Sequence, residues 1–380
     1  MNRRGFLRCA GCGAAAAAVT QTDLLPLALG GLQNALAFTY TKELSSVEAR
    51  HYRKLEEGGI ECGICPRHCR ITDLERGYCG SRENRKDVYY TLVYGLPCSM
   101  NIDPVEKKPL FHYHPGAAAF SLATAGCNVN CKCCQNWEIS QSRPEQTDNF
   151  ALPPKEAIAV CRENAVPIIA YTYSEPVIFF EYMYDIAKLG REHGLKSVMI
   201  TGGYIEKDPL AELLGQLDAV KVDLKAIREE YYRDYVDGEL KPVLAALEQI
   251  RKSGVWLEIV YLVIPTLNDT DAEFRDLARW VKTSLGSDVP VHFTRFYPQY
   301  LLKHLPPTPE NTLQRAYDTA KAEGLEYVYL GNLAGHPAES TYCPGCRTVL
   351  IERRGYQVAV KNLKGNRCGS CGREIPGRFL

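Results

Sequence analysis

The spacing of the cysteines constrains this chain of 380 residues more than any other feature of its sequence. There are 16 cysteines, and most stand in groups whose members are only a few residues apart. Cysteines this close cannot easily bridge to each other, because disulfide geometry is restrictive, but they chelate a metal well. The pattern therefore predicts metal centres rather than a disulfide framework.

The central group consists of Cys127, Cys131 and Cys134, which follow an apolar segment and the turn residue Gly126. Three thiolates can hold three corners of a cubic four-iron cluster and leave the fourth iron open to a small molecule. Zinc is the alternative, but no fourth ligand is well placed, since Cys133 is the immediate neighbour of Cys134. The spacing favours the cluster.

Two other groups flank the triplet. The first comprises Cys62, Cys65, Cys69 and Cys79. Four thiolates suit either zinc or a second cluster, and the spacing does not decide between them. The second comprises Cys343, Cys346, Cys368 and Cys371. Its two Cys-x-x-Cys pairs have zinc-ribbon spacing and predict a tetrahedral zinc site, with a rubredoxin-like iron as the alternative.

Apolar β-type segments alternate with helical patterns in the middle of the chain. Strands are predicted at 118–124, 166–172, 197–201, 218–223, 255–263, 289–296 and 326–330. Helices are predicted at 154–164, 176–191, 206–214, 240–253, 270–285 and 309–323. These units predict an α/β fold, and because they are too few for an eight-unit barrel, they favour an incomplete one. The chemistry of such folds lies at the C-terminal ends of the strands.

Four segments are expected: a signal at 1–37, an N-terminal Cys-rich segment at 38–114, the barrel at 115–335 and a zinc-ribbon-like tail at 336–380. The signal resembles a twin-arginine export signal, with Arg3-Arg4, an alanine-rich stretch and the small-x-small site Ala35-Leu36-Ala37. It predicts a periplasmic or otherwise exported protein. The alternative is an amphipathic or disordered start on a cytoplasmic protein, where low-potential electrons are available.

The charge balance argues against two classes of partner. The chain has 45 basic and 45 acidic residues and a formal net charge of zero. Bulk electrostatic capture of nucleic acid or of an anionic membrane is therefore not expected. The apolar run near the start is interrupted by Asp23 and Pro26, so no stable membrane span is predicted either.

The residues around the triplet resemble a known family. The run from Asp103 to Leu110, then Gly126-Cys127 and Cys134-Gln135-Asn136-Trp137-Glu138, resemble the pyruvate formate-lyase activating-enzyme-like group of radical S-adenosylmethionine (radical SAM) enzymes. Within that group they resemble the radical SAM member of the AmmeMemoRadiSam system. The resemblance implies a partial (β/α)6 barrel, a [4Fe-4S] cluster on the triplet, S-adenosylmethionine and an electron donor.

The resemblance also implies a reaction. Reductive cleavage of S-adenosylmethionine would give methionine and a 5′-deoxyadenosyl radical, which would abstract hydrogen from an unknown substrate. That substrate is either a partner protein that acquires a glycyl radical or a target within the three-component system. A multi-cluster electron carrier is the alternative, but a carrier gains nothing from an open iron. Neutrality weakens a third interpretation, a zinc-ribbon nucleic-acid binder.

By the same resemblance, two strand ends are expected to bind the cofactor. Ser174 and Glu175 occupy the place of the family's Gly-Gly-Glu-Pro element, although Ser174 could equally be a helix N-cap. Thr201 and Gly202 end the next strand, where relatives often have Asn in place of the glycine.

Two further strands supply the remaining expected cofactor residues. Asp223 and Lys225 point to one side at strand spacing and resemble an Asp-x-Lys element at the cofactor's carboxylate end. A surface salt bridge is the alternative for this pair. His292 resembles a cofactor contact, but a histidine on an apolar strand is as readily a satisfied core residue.

Overall fold

The computed structural model describes residues 38–379, so the predicted signal at 1–37 lies outside the described part. One eight-stranded sheet organises the described chain. Its strands are β1 (Ser99–Pro104), β2 (Ala118–Ala123), β3 (Ile168–Tyr171), β4 (Lys196–Thr201), β5 (Ala219–Asp223), β6 (Trp256–Val263), β7 (Val291–Arg295) and β8 (Val328–Gly331). Strands β2 to β8 are parallel and stand in chain order, and β1 is antiparallel at one edge.

Six helices connect the parallel strands. They are α1 (Pro154–Glu163), α2 (Phe180–Glu192), α3 (Lys207–Leu214), α4 (Leu240–Ser253), α5 (Asp271–Ser284) and α6 (Glu310–Ala322). Six βα units thus lead to a final strand, and within residues 38–379 the edge strands β1 and β8 do not pair. The predicted α/β class with a central parallel sheet is confirmed. Each predicted strand and helix is present, with bounds shifted by a few residues.

The start of the second predicted helix differs from the expectation. Residues Pro176–Phe179 form a tight 3-10 turn, and α2 begins only at Phe180. Proline fixes the first turn, and the Glu175 side chain accepts a hydrogen bond from the Val177 amide (3.2 Å). The chain therefore enters the helix through a capped turn that also belongs to the site described below.

One end of the sheet's inner face is filled by apolar side chains. Ile168, Val198, Ala219 and Trp256, from β3 to β6, pack together with Leu110 from the segment before β2. These positions follow the two-residue period that sends alternate strand residues to one face. The next inward positions toward the carboxyl ends include charged residues, which leaves that end of the sheet for chemistry.

The Cys-rich segment before β1 consists of short strands. They are Tyr40–Thr41, Val47–Glu48, Tyr52–Lys54, Ile60–Cys62, Arg70–Ile71, Arg82–Arg85 and Val88–Thr91. A buried ion pair fastens this segment to α2, because Arg82 Nη1 and Nη2 donate to the Glu181 carboxylate at 3.0 and 2.6 Å. Arg82 also donates through Nε to the Ile178 carbonyl (3.2 Å). Such a bidentate pair fixes orientation as well as distance.

The tail after β8 also consists of short strands. They are Thr341–Tyr342, Val349–Arg354, Gln357–Val360, Leu363–Lys364 and Arg367–Cys368. Phe111 and Tyr329 of the sheet region pack in one apolar cluster with Leu350 and Ile351 of the tail. Across residues 38–379, helices of the length and apolarity that a membrane crossing requires are absent.

The remaining described elements are short. They are Val105–Lys107, Trp137–Ser140, Pro144–Gln146, Asn149–Phe150, Glu229–Tyr231, Tyr232–Val236, Tyr300–Leu302 and Pro337–Glu339. Among them, the π-helical turn at Tyr232–Val236 lies against the cysteine triplet and bears directly on the site.

Candidate active site

The cysteine triplet lies at the carboxyl end of β2, where the fold predicts chemistry. Gly126 precedes it with φ of 104°, and a Cβ at this position would lie 2.5 Å from the Cys79 carbonyl oxygen. Only glycine allows this close approach between the triplet loop and the N-terminal segment. The Gly126 amide also donates to the Ile139 carbonyl (2.9 Å), which closes the loop after the triplet.

The loop is held by the backbone of the π-helical turn. The amides of Asn130 and Lys132 donate to the carbonyls of Val236 and Tyr235, both at 2.9 Å. A π-helical turn displaces its carbonyls from the α-helical ladder, and such turns are frequent at functional sites. The triplet is therefore positioned by a second loop and not by its own sequence alone.

Two of the three thiols, those of Cys127 and Cys131, are in a largely desolvated setting. Burial raises the pKa of Cys127 above its usual range, and the Glu175 carboxylate raises it further. Burial likewise raises the pKa of Cys131, while the Lys225 ammonium opposes that shift. The triplet thus has an anionic and a cationic neighbour. Three cysteines on one loop supply three thiolates for a cluster and leave its fourth corner without a protein ligand, so the donor set fits a [4Fe-4S] cluster.

Asp223 and Lys225 lie beside the triplet at the end of β5. Lys225 Nζ is 3.4 Å from Asp223 Oδ2, and Lys221 Nζ also pairs with Asp223. Burial would raise the pKa of Asp223, but the two lysines outweigh it and hold that pKa below its usual value. The pKa of Lys225 is raised despite burial, because Asp223 and the thiols of Cys131 and Cys133 favour its charged form. A fixed ammonium beside the triplet can bind an anionic group.

Glu175 joins two neighbouring strand ends. Its carboxylate accepts hydrogen bonds from Thr201 Oγ1 (2.6 Å) and from the Gly202 amide (2.8 Å). Thr201 Oγ1 in turn accepts from the Gly203 amide (2.9 Å). Burial raises the pKa of Glu175, and these hydrogen bonds oppose that rise. Glu175 and Thr201 therefore shape the Gly202-Gly203 turn at the carboxyl end of β4.

Ser174 binds the loop before the triplet. Its hydroxyl donates to the Thr124 carbonyl (2.7 Å), and Asn136 Nδ2 donates to the Tyr173 carbonyl (2.7 Å). The segment after β3 is thus hydrogen-bonded to the chain both before and after the triplet. Ser174 acts here through its side chain on the neighbouring strand end, rather than as a cap of the following turn, where Glu175 accepts instead.

His292 has the contacts of a core residue. It is buried, its Nε2 is 2.7 Å from Glu258 Oε2, and its ring stacks on Tyr329 at 4.9 Å. Burial lowers its pKa, although the Glu258 carboxylate opposes the shift. Among the residues that the structure describes, its hydrogen bond and ring contacts are those of a core residue that supports the tail interface.

Among the cysteines of residues 38–379, the four tail cysteines form the most compact group of sulfurs. Their four Sγ atoms lie within 4.8 Å of one another, with Cys343 to Cys371 at 3.5 Å and Cys346 to Cys368 at 3.6 Å. Hydrogen bonding to Thr348 lowers the pKa of Cys346 to about 6, which favours the thiolate form that binds metals. This group is shaped to hold a single metal ion.

Two contributors to the site were not predicted from the sequence. Lys221 precedes Asp223 by two residues on β5, and the two-residue period of a strand could have placed both on one face. The π-helical turn carries no periodic signal, because its sequence from Tyr232 to Val236 suits an ordinary helix equally well. Its role depends on contacts with a loop that is a hundred residues away in the chain.

The fold and site define an α/β protein with a cysteine-rich loop at the carboxyl edge of its sheet, and it was compared with known proteins. The radical SAM superfamily pattern matches residues 121–281. An uncharacterised protein of Methanocaldococcus jannaschii is 44% identical over 330 residues, which are 86% of this chain and 98% of that protein. The chain therefore contains a radical SAM superfamily domain and shares a family with this archaeal protein.

Two other proteins, each with a described function, are also similar to this chain. A pyruvate formate-lyase-activating enzyme of Clostridium pasteurianum is 24% identical over 160 residues, which are 41% of this chain and 66% of that enzyme. The crystal structure of a radical SAM methyltransferase from Sphaerobacter thermophilus covers 76% of both chains at 15% identity, with a TM-score of 0.47. The superfamily implies a [4Fe-4S] cluster and S-adenosylmethionine.

Proposed function

We propose that this chain is a radical SAM enzyme whose [4Fe-4S] cluster binds Cys127, Cys131 and Cys134. When bound, the cluster supplies the electron that cleaves S-adenosylmethionine into methionine and a 5′-deoxyadenosyl radical for hydrogen abstraction. The observation that carries the proposal is the position of the triplet, at the carboxyl edge of the sheet with Lys225 and Glu175 as charged neighbours. A multi-cluster carrier would have no use for these side chains.

The side chains around the triplet suit the two ends of the methionine moiety. Lys225 offers a fixed positive charge for its carboxylate, and Asp223 keeps that ammonium charged and in place. The Gly202-Gly203 turn, shaped by Glu175 and Thr201, lets backbone groups approach the cofactor closely. Glu175 and Thr201 are buried, which keeps water from this side of the site, and exclusion of water protects a reactive radical from side reactions.

The finer assignments are also proposals. The substrate is either a protein that receives a glycyl radical or a target of the AmmeMemoRadiSam system, and the similarity to a pyruvate formate-lyase-activating enzyme supports the first. The compact sulfur geometry of the tail supports zinc there as a structural ion. The start of the chain supports export through a twin-arginine-like signal, with a cytoplasmic protein as the alternative.

The experiment is to reconstitute the full chain without oxygen, reduce it with dithionite and add S-adenosylmethionine. Formation of 5′-deoxyadenosine is compared between the wild type, Cys134→Ala and Cys161→Ala, a matched loss of a buried cysteine on α1. We expect product from the wild type and from Cys161→Ala, and only background from Cys134→Ala. A wild type that binds iron at the triplet, becomes reduced and still cleaves nothing would contradict the proposal.

A further inference from the structure

The N-terminal Cys-rich segment contains a knuckle, from Cys62 to Cys69, that the proposed reaction does not use. The Cys62 amide donates to the Cys69 carbonyl (3.0 Å) and closes the knuckle, Cys65 lies within it, and Cys79 follows it in the chain. Zinc or a second cluster on these four cysteines stays a prediction. The knuckle also carries Arg67, and the side chain of Arg67 contacts the loop of the cysteine triplet.

The triplet loop, from Ala125 to Cys134, is hydrogen-bonded to the N-terminal segment on both sides of its first cysteine. Before that cysteine, Ser81 Oγ donates to the Ala125 carbonyl (2.7 Å). After it, Arg67 Nε donates to the Asn128 carbonyl (2.5 Å). Asn128 is buried, and a buried carbonyl that loses its donor costs free energy. The loop therefore depends on Arg67 for the partner of one of its backbone groups.

The same guanidinium contacts the π-helical turn that supports the loop. Arg67 Nη2 donates to the Asp237 carbonyl and lies 3.3 Å from Asp237 Oδ2. Asp237 ends that turn in the left-handed region, with φ of 56°. The carbonyls of the turn accept the hydrogen bonds of the Asn130 and Lys132 amides. One guanidinium thus joins the triplet loop to the element that holds it.

Tyr78 fixes the orientation of this guanidinium. Arg67 Cζ lies 3.4 Å from the centre of the Tyr78 ring, and the Tyr78 hydroxyl donates to Asp237 Oδ2 (2.5 Å). A planar guanidinium can stack on a ring while its edge donates to two carbonyls, whereas a lysine ammonium is a compact point charge on a flexible stem. The contacts of Arg67 are therefore specific for arginine.

The N-terminal segment has other contacts that hold it in place without Arg67. The Glu206 amide, which follows β4, donates to the Ile64 carbonyl of the knuckle (3.1 Å). The segment is also bound to α2 through the buried pair of Arg82 and Glu181. Loss of the Arg67 side chain is therefore expected to loosen the triplet loop while the rest of the segment stays bound.

We propose that Arg67 is a positioning residue for the cluster, an inference that rests on the proposed function. It acts through the Asn128 carbonyl and the Asp237 turn, which together hold the triplet loop in the shape that three thiolates need around one cluster. Groups that orient metal ligands in this way raise the affinity for the metal. Retention of the cluster thereby depends on the N-terminal segment.

Iron release tests this role without catalysis. The full chain is reconstituted without oxygen as wild type, Arg67→Met, Arg67→Lys and Arg53→Met, and iron loss to excess chelator is followed without S-adenosylmethionine. Arg53 is the matched control, an arginine of the same segment whose side chain is 63% exposed. We expect about tenfold faster loss from both Arg67 variants, because lysine cannot bridge two carbonyls, and no change in Arg53→Met. A wild-type rate in either Arg67 variant would overturn the proposal.

Amide hydrogen exchange separates positioning from general support of the fold. In reconstituted Arg67→Met, exchange is expected to rise about tenfold in residues 127–134 and 232–237 and to stay unchanged in β3 and α2. A comparable rise in β3 and α2 would show a general loss of stability and overturn the proposal.

The reduced cluster gives a spectroscopic signature of its ligand geometry. After reduction with dithionite, the paramagnetic resonance of the [4Fe-4S]⁺ cluster is expected to shift in Arg67→Met and to match the wild type in Arg53→Met. A wild-type resonance in Arg67→Met would show that the arginine does not set the shape of the loop.

Tyr78→Phe tests the same contacts with a smaller change, and it decides if Arg67→Met fails to fold. It removes the hydrogen bond to Asp237 but keeps the ring beneath the guanidinium, so iron loss is expected to be about twofold or more faster. Because both side chains act through Asp237, the double variant should lose iron no faster than Arg67→Met alone. A wild-type rate in Tyr78→Phe, or rates that multiply in the double variant, would contradict the proposal.

The outcomes for the positioning role and for the proposed function are distinguishable. A wild type that holds its cluster and forms no 5′-deoxyadenosine would reject the proposed function, while faster iron release from the Arg67 variants would still support the positioning role. Normal 5′-deoxyadenosine formation with equal iron release from the wild type and the Arg67 variants would reject the positioning role alone.

Discussion

Lys225 carries a positive charge beside the cysteine triplet, and its replacement separates cofactor binding from cluster assembly. In Lys225→Met the chain length is kept and Asp223 still pairs with Lys221, so the fold is expected to remain intact. Loss of one charge-assisted hydrogen bond predicts at least about tenfold weaker binding of S-adenosylmethionine. Equilibrium dialysis on reconstituted protein measures this affinity, and iron content is expected to be unchanged.

The control for Lys225 is Lys188→Met, which removes an exposed lysine on α2 and should leave the affinity unchanged. Equal affinity of Lys225→Met and the wild type would show that the ammonium does not contact the cofactor. Loss of iron in Lys225→Met would instead assign the side chain to the cluster loop.

Asp103 makes stability depend on pH in the acid range. Burial alone would raise its pKa, but Lys108 and Lys107 bind it at 2.7 and 2.8 Å and lower the pKa to about 2. A depressed carboxyl pKa stabilises the fold above the unfolded value near 4, and this stabilisation is lost as pH falls from about 4 to 2. The expected contribution is about 2 kcal/mol.

Unfolding by denaturant at several pH values tests this expectation. The difference in unfolding free energy between the wild type and Asp103→Asn should narrow by about 2 kcal/mol between pH 4 and pH 2. Lys108 stays protonated throughout that window, so its own lowered pKa of about 8 does not contribute. A difference that stays constant between pH 4 and pH 2 would refute the linkage.

Among the elements, the turn at Gly126 requires glycine for two reasons, its positive φ and the nearby Cys79 carbonyl. Gly126→Ala combines an unfavourable φ with a collision against the Cys79 carbonyl, whereas Gly194→Ala has a positive φ but open space around its Cβ. The conformational strain alone costs about 1–2 kcal/mol. We expect Gly126→Ala to cost more than Gly194→Ala and to lower the iron content. Thermal unfolding and iron analysis measure both, and equal costs would show that the loop contact is not required.

Helices and strands could be predicted where the sequence pattern within the element itself determines its structure. Apolar strands and amphipathic helices repeat with periods of 2 and 3.6 residues, so the βα units and the loop position of the triplet follow from the sequence. Strand β1 was not predicted, because its sequence from Ser99 to Pro104 alternates polar residues that suggest a loop. The surroundings of His292 were also not decidable, since its partner Glu258 lies 34 residues away.

In the molecule as a whole, one buried cation joins the tail to the sheet. Arg353 donates to the Phe111 carbonyl (2.6 Å) and to Thr341 Oγ1 (2.8 Å), and its Nε lies 3.7 Å from Glu106. Burial raises the pKa of Glu106, and Arg353 opposes that rise. Arg353→Met would leave a buried carboxylate without its cation, which typically costs about 3–5 kcal/mol.

The loss of unfolding free energy in Arg353→Met should increase with pH. Without Arg353 the pKa of Glu106 rises further, so the destabilisation is relieved where the carboxyl is protonated and grows as pH increases. The difference in unfolding free energy between the wild type and Arg353→Met is therefore expected to be smaller at pH 5 than at pH 8. Adding Glu106→Gln to the Arg353→Met chain should restore part of the lost stability. Exposed Arg354→Met is the control and should change little. A pH-independent loss would mean that packing on Phe111, rather than the buried charge pair, holds the tail in place.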